Sequence, residues 1–196
     1  MTYSQAGQDL FALEVLGFKR GGTYLEIGSG NPIKINNTYL MESEYDWEGV
    51  SVEIDANSVD LFREKRRNPV ICADALILDY REVYAEHGLG DDNGHVDYLS
   101  VDIEADSFLA LLAIGLVTRR FSVITFEHNI YTGSETIRRQ SRELLIGHGY
   151  TLVAKDVAHR GNPFEDWYVD PGIVKSKWQR FCSEGSEGTG FGNGNP

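Results

Sequence analysis

Three observations in the sequence predict an α/β chain built on a mostly parallel sheet with helices on both faces. Short β-branched and aromatic runs alternate with helical segments five times, the pattern of a parallel sheet whose crossovers are helices. Each of those five runs ends on polar or acidic residues, at Glu26, Glu53, Asp74, Asp102 and Glu127-His128. Two further runs, at 150–154 and 167–169, flank the Gly161-Asn-Pro163 loop and read as a closing antiparallel hairpin. Ligands of such sheets bind outside the carboxyl ends of the strands, near the point where strand order reverses.

Taken in order, Ser4 is placed to cap a first helix carrying Leu10, Phe11, Leu13, Val15 and Leu16, and Gly17 marks its end. A first strand over 23–27 runs straight into the loop Gly28-Ser29-Gly30, whose glycines permit a tight turn with backbone N–H groups facing a ligand. Asn36-Asn37-Thr38 starts a second helix reaching Tyr45, and 49–53 is the second strand. Asp55 or Asn57 opens a third helix that ends at the basic triplet Lys65-Arg66-Arg67, before a third strand over 70–73. A short helix over 80–87 and a loop over 88–94 rich in turn formers lead to the fourth strand, 96–101. A helix capped by Asp106 runs to Ile114, the fifth strand covers 121–126, and 134–148 has helical spacing through Ile137, Leu144, Leu145 and Ile146.

At 196 residues, 41% of them hydrophobic, the chain can bury a real core as one domain, expected over 1–182. The polar, glycine-rich stretch 183–196 reads as a flexible tail. A net charge of −12 would repel a phosphate backbone, so a nucleic-acid partner is not expected. The basic clusters, 65–67 and Arg138-Arg139 with Arg142, read as solvated helix faces. Cys72 and Cys182 form neither a disulfide framework nor a metal-ligand spacing. The N-terminal residues lack the pattern of a signal peptide, and the longest apolar run, 108–117, is shorter than the roughly 20 residues that span a bilayer. A cytoplasmic setting without a membrane segment is the expectation.

The acid before the glycine loop separates two kinds of ligand. A dinucleotide loop needs a third glycine where Ile33 stands, and Glu26 would set a negative charge beside the phosphates. A carboxylate there suits a ligand carrying positive charge, such as the sulfonium and amino groups of S-adenosylmethionine. Glu53 can accept from both hydroxyls of a ribose, the bland alternative being a helix cap or a solvent-facing acid. Asp74 can accept from an adenine amino group while Ala75 offers a backbone N–H to a ring nitrogen, again with helix capping as the competitor. Asp97, at the start of its strand, reads as structural, whereas Asp102 emerges at the ligand edge. In Glu127-His128-Asn129 the imidazole suits a base that takes a proton from an attacking hydroxyl. Asp102 with Glu127 or Asn129 can alternatively supply oxygen ligands to Mg²⁺, which would acidify and position that hydroxyl.

Several stretches together resemble the FkbM family of S-adenosylmethionine-dependent methyltransferases over about residues 3–170. They are Tyr3-Ser-Gln5-Ala-Gly7-Gln-Asp9, Tyr24-Leu-Glu26-Ile-Gly28-Ser-Gly30, Asn37-Thr38, Trp47-Glu-Gly49-Val-Ser-Val-Glu53, Asp97-Tyr-Leu-Ser-Val-Asp102-Ile-Glu104, Glu127-His128 and Phe164-Glu-Asp166-Trp167. The chain departs from the family pattern at Ala105, where glycine is common, and at Asp106, where Glu is common. The resemblance implies the Rossmann-like seven-stranded methyltransferase fold and O-methylation of a hydroxyl on a sugar, glycan or small natural product. It further implies that Glu26, Gly28, Ser29 and Gly30 shape the methionine pocket, Glu53 holds the ribose, and Asp74 the adenine. Gln5 and Asn37 would reach the methionine carboxylate. Phe164, Asp166 and Trp167 would face the acceptor, with core packing the equal alternative for Trp167. Loop 88–94 and the segment around 160–167 would frame that acceptor.

Two other functions compete. An NAD-dependent sugar oxidoreductase is disfavoured by Ile33 at the third-glycine position and by the absence of a Tyr-x-x-x-Lys pair. A catalytically silent nucleoside-binding module of the same fold would keep the strand-end acids without needing His128.

Overall fold

The computed structural model describes residues 1–133, 135–175 and 178–182; the expected tail over 183–196 lies outside the described residues. Seven strands form one sheet: β1 (Thr23–Ile27), β2 (Glu48–Glu53), β3 (Val70–Cys72), β4 (His95–Val101), β5 (Arg120–Glu127), β6 (Thr151–His159) and β7 (Asn162–Val169). Their order is β3-β2-β1-β4-β5-β7-β6, with β1 to β5 parallel and β7 antiparallel to both neighbours. Strand order reverses between β1 and β4, which is where the glycine loop leaves the sheet. The helices are α1 (Gln8–Val15), α2 (Tyr39–Tyr45), α3 (Ala56–Lys65), α4 (Tyr80–Glu86), α5 (Ser107–Ile114) and α6 (Thr136–Gly147).

Strand alternation divides the core in two. Tyr24, Tyr98, Val123 and Trp167 pack on Phe11, Leu13, Leu40 and Met41 of α1 and α2. Leu25, Ile27, Leu99, Val101, Ile124 and Phe126 pack on α4, α5 and α6 through Tyr84, Leu111 and Leu145. Asp55 caps α3 as expected, accepting from Ser58 N–H at 2.8 Å. Asp97 is structural: it takes both Lys19 (2.8 Å) and the Thr23 N–H (2.9 Å) at the far edge of the sheet.

Several local expectations are corrected. Ser4 does not cap α1; its hydroxyl and that of Thr2 both donate to Asp9 at 2.6 Å, and the helix starts beyond Gly7, which takes a left-handed φ. Asp106 precedes α5 without a side-chain cap bond, and Ser107 Oγ instead accepts from Ile103 N–H. The hairpin strands are longer than their apolar stretches suggest, because register shifts in β6 break the alternation and Glu165 and Asp166 are buried acids. Arg66 is buried in a polar cluster, not solvated, and Arg142 is half-buried and pairs with buried Asp166. Loop 88–94 leads into the amino end of β4, against Thr118 and Arg119, so it sits at the edge opposite the glycine loop and cannot frame a site there.

Candidate active site

Two cross-strand rows on the α1/α2 face of the sheet lead to the site. The inner row, in register, is Ser51, Glu26, Ser100, Thr125 and Trp167, all buried. Two residues further on, alternation brings Glu53, Gly28, Asp102, Glu127 and Glu165 to the same face at the carboxyl ends, a row of acids interrupted by one glycine. The ladder continues past the strands, since Gly28 N–H bonds Val52 O and Asp102 N–H bonds Ile27 O, both at 2.9 Å.

Above this row opens a cavity of ≈ 560 Å³. The glycine loop, Asn31, Lys34 and Ile35 form one side, Glu53 and Ile54 with Ala73, Asp74, Ala75 and Leu76 a second, and Asp102, Ile103, Glu104 and Asp106 a third. Its size lies within the range usual for small-molecule sites. Gly28 has φ +82, and a Cβ there would overlap the Asp102 carbonyl oxygen and stand 2.6 Å from Ile103 Cγ2. Gly30 N–H donates to Glu53 Oε2 and Asp55 N–H to Oε1, each at 2.8 Å, so the Glu53 carboxylate is held between loop and strand with lone pairs left for a ligand. Asp74 accepts from Leu76 N–H through Oδ1 at 2.9 Å, a turn that keeps its carboxylate on the cavity wall.

The loop is anchored from beneath by Arg66, which leaves α3 in an extended conformation and turns inward. Its Nε bonds Glu42, one terminal nitrogen Pro32 O and Asn36 Oδ1, and the other Tyr24 OH and Thr38 Oγ1, at 2.8 to 3.1 Å. All five guanidinium N–H groups are thereby engaged. Asn36 in turn donates to Ser29 O at 3.1 Å. Nothing in the local sequence distinguishes Arg66 from its basic neighbours except that it follows the last helical residue of α3.

The structure gathers Gly28, Ser29, Gly30, Glu53, Asp74, Ala75 and Asp102 around one cavity and leaves five other candidates, Glu127 among them, outside its wall. Glu26 lies one layer below, accepting from Ser51 Oγ (2.6 Å) and Thr38 Oγ1 (3.0 Å); burial raises its pKa, opposed by Arg66. Its carboxyl is turned to Ser51 and Thr38 beneath the loop and is not part of the cavity wall, so the structure does not place it directly against a ligand there. Asn37 is buried against Ser100 Oγ at 2.9 Å, and Gln5 carries a backbone carbonyl that meets His159.

His128 is the fourth, and alternation explains it. Glu127 faces the acid row, so His128 faces the opposite side of the sheet, with Asp166 and α6. It is wholly buried. Ile130 N–H donates to its Nδ1 at 3.3 Å, and Nε2 lies 3.5 Å from Asp156 and from Asp166. Arg142 bonds both aspartates and Arg138 bonds Asp156. This placement removes His128 from the role of base at the cavity.

Of the residues expected towards the acceptor, Trp167 is core: it stacks on Phe11 at 4.5 Å and donates to Glu165 at 2.7 Å. Phe164 is buried, and Asp166 belongs to the arginine cluster.

Asp102 and Glu127 follow the paired ends of β4 and β5 side by side, and Glu127 accepts from Glu104 N–H at 2.9 Å. Burial first, then Asp102, pushes Glu127 up to about 10, and burial also raises Asp102. Among the described residues, the one group of three acidic or imidazole ligands that converges is His128, Asp156 and Asp166, and the arginines already occupy it. Asp102 and Glu127 bring two carboxyls together, and among the described residues no third acidic or imidazole ligand converges on them.

Comparison with known proteins places this geometry. No family model matches the sequence, and no curated protein matches it. Solved structures do match. An O-methyltransferase from Bacillus cereus in complex with S-adenosylhomocysteine superposes with a TM-score of 0.60 at 17% identity, over 86% of this chain and 82% of that one. Human methyltransferase-like protein 13, also with S-adenosylhomocysteine, gives 0.58 at 14% identity over 94% of each chain. The fold is therefore the Rossmann-like seven-stranded fold that these methyltransferases share, with the closing antiparallel hairpin. Among the described residues, no helix is long and apolar enough to cross a membrane.

Proposed function

We propose that the protein is an S-adenosylmethionine-dependent methyltransferase that transfers the methyl group to a hydroxyl of a small-molecule or saccharide acceptor, as its resemblance to the FkbM family implies. The observation that carries this reading is the cavity at the reversal point of the sheet, where Glu53 is clamped to Gly30 and Asp74 faces it across the third strand's end. In this reading Glu53 receives the ribose hydroxyls, Asp74 and Ala75 the adenine, and Val52, Ile54, Leu76 and Ile103 its apolar faces. Glu53, Asp74, Asp102, Glu104 and Asp106 on the wall suit a donor bearing a sulfonium and an ammonium, and they would repel a pyrophosphate.

The sulfonium is an activated leaving group, so in-line alignment of the acceptor oxygen supplies most of the rate. The S–CH₃ bond breaks as the O–CH₃ bond forms, and the hydroxyl proton leaves to a base. Asp102, on the wall and backed by Glu127, is the positioned carboxyl that orients the reacting groups.

Amide chemical shifts test the reading. Adding S-adenosylhomocysteine should move the resonances of Gly28, Gly30 and Ala75 while leaving β6 unaffected. Shifts at those amides with NAD and none with S-adenosylhomocysteine would favour the oxidoreductase instead.

A further inference from the structure

On the reading above, the donor carries a carboxylate as well as its cationic centres, and that anion needs a partner. The residues expected to supply one, Gln5 and Asn37, are not on the cavity wall; Asn37 is engaged by Ser100. The wall holds five acids, Glu53, Asp74, Asp102, Glu104 and Asp106, and one cationic side chain, Lys34. An anionic group entering among five carboxylates is repelled everywhere except beside that ammonium.

Lys34 is also free to act. Among the described residues its ammonium pairs with no carboxylate, although the chain has an excess of acids. Arg66, the nearest alternative cation beneath the loop, is buried with all five N–H groups engaged and cannot reach a ligand. The backbone at Lys34 is fixed on both sides. Asn31 Oδ1 accepts from Ile33 N–H at 3.0 Å and from Lys34 N–H at 2.9 Å, Ile35 adopts a left-handed φ of 54°, and Arg66 holds Pro32 and Asn36 on either side of it. The ammonium thus projects from a braced turn.

We propose that Lys34 is the residue that binds the carboxylate of the donor's methionine moiety, and so selects an amino-acid-bearing nucleoside over a plain one. An anionic group on the acceptor would have the same chemistry, and the choice of ligands separates the two sources.

The test is calorimetric titration of wild type, Lys34→Ala and Lys34→Arg with S-adenosylmethionine, S-adenosylhomocysteine and 5′-methylthioadenosine, which keeps the adenosine and sulfur but lacks the amino acid. Lys65→Ala, which removes an exposed charge on α3, controls for net charge. Lys34→Ala should weaken both amino-acid ligands about tenfold, leave methylthioadenosine unchanged, and be partly restored by arginine. Equal weakening of all three ligands, or of none, would overturn the assignment, including the case where only the acceptor KM rises. Failure of wild type to bind any of the three would overturn the donor reading itself.

Discussion

Gly28 lies against the carbonyl of Asp102 with no room for a side chain between them, and this contact joins the glycine loop to the strand end that carries the central acid. Both conditions fall on one residue, since Gly28 also has φ +82. Gly28→Ala should therefore cost about 2–4 kcal/mol, from left-handed strain plus overpacking, and lower donor affinity at least tenfold. Denaturant titration and ligand titration of the variant check the two effects separately.

Arg66 is the charge that the fold can least do without. It is buried, paired with Glu42, and bonded to three points of the loop segment at Pro32, Asn36 and Thr38. Arg66→Met leaves Glu42 and Glu26 buried without their cation, a loss of about 3–5 kcal/mol. Thermal unfolding should show a midpoint about 10 °C lower, with Arg66→Lys in between.

Glu127 gives a stability signature with a definite sign. Its folded-state pKa, raised to about 10 by burial and by Asp102, exceeds the unfolded value of 4.5. The folded state holds the extra proton between those values, so its stability falls as pH rises through that window. Glu127→Gln keeps an acceptor for Glu104 N–H and a donor for Asp102 without ionising. Its stability relative to wild type should rise with pH by up to about 1.4 kcal/mol per unit, measured by denaturant titration between pH 6 and about 9. A flat difference across that range would contradict the raised pKa of Glu127.

Asp166 has the opposite sign. Burial alone would raise its pKa, but Arg142 and then His128 bring it down to about 2, below the unfolded 3.8. Asp166→Asn should cost about 2 kcal/mol at pH 7, with the gap to wild type closing as pH falls from about 4 towards 2. Because this cluster lies on the other face of the sheet, donor affinity in the folded variant should stay within about twofold of wild type.

The strand and helix sequence of this fold is legible because periodicity, glycines and capping acids agree at most boundaries, as at Asp55 and at the loop after β1. Glu53, Asp74 and Asp102 are legible for the same reason: each follows an apolar run, and parallel strands bring their ends together. What sequence reading misses is the direction of neighbours. Glu127 and His128 are adjacent, yet pleating sends one to the cavity side and the other towards α6, and the alternation that sorts Asp97 from Asp102 sorts them too. Glu26 is misplaced by one pleat, two residues short of the edge occupied by Gly28. Arg66 is not legible because its role depends on which surface closes over it.

The most direct measurement is calorimetric titration of the full chain with S-adenosylhomocysteine and NAD in parallel. Saturable 1:1 binding of S-adenosylhomocysteine, abolished or strongly weakened in Glu53→Ala and absent for NAD, is the predicted result. Binding of NAD with no response to S-adenosylhomocysteine would contradict the assignment of the cavity to an adenosyl donor.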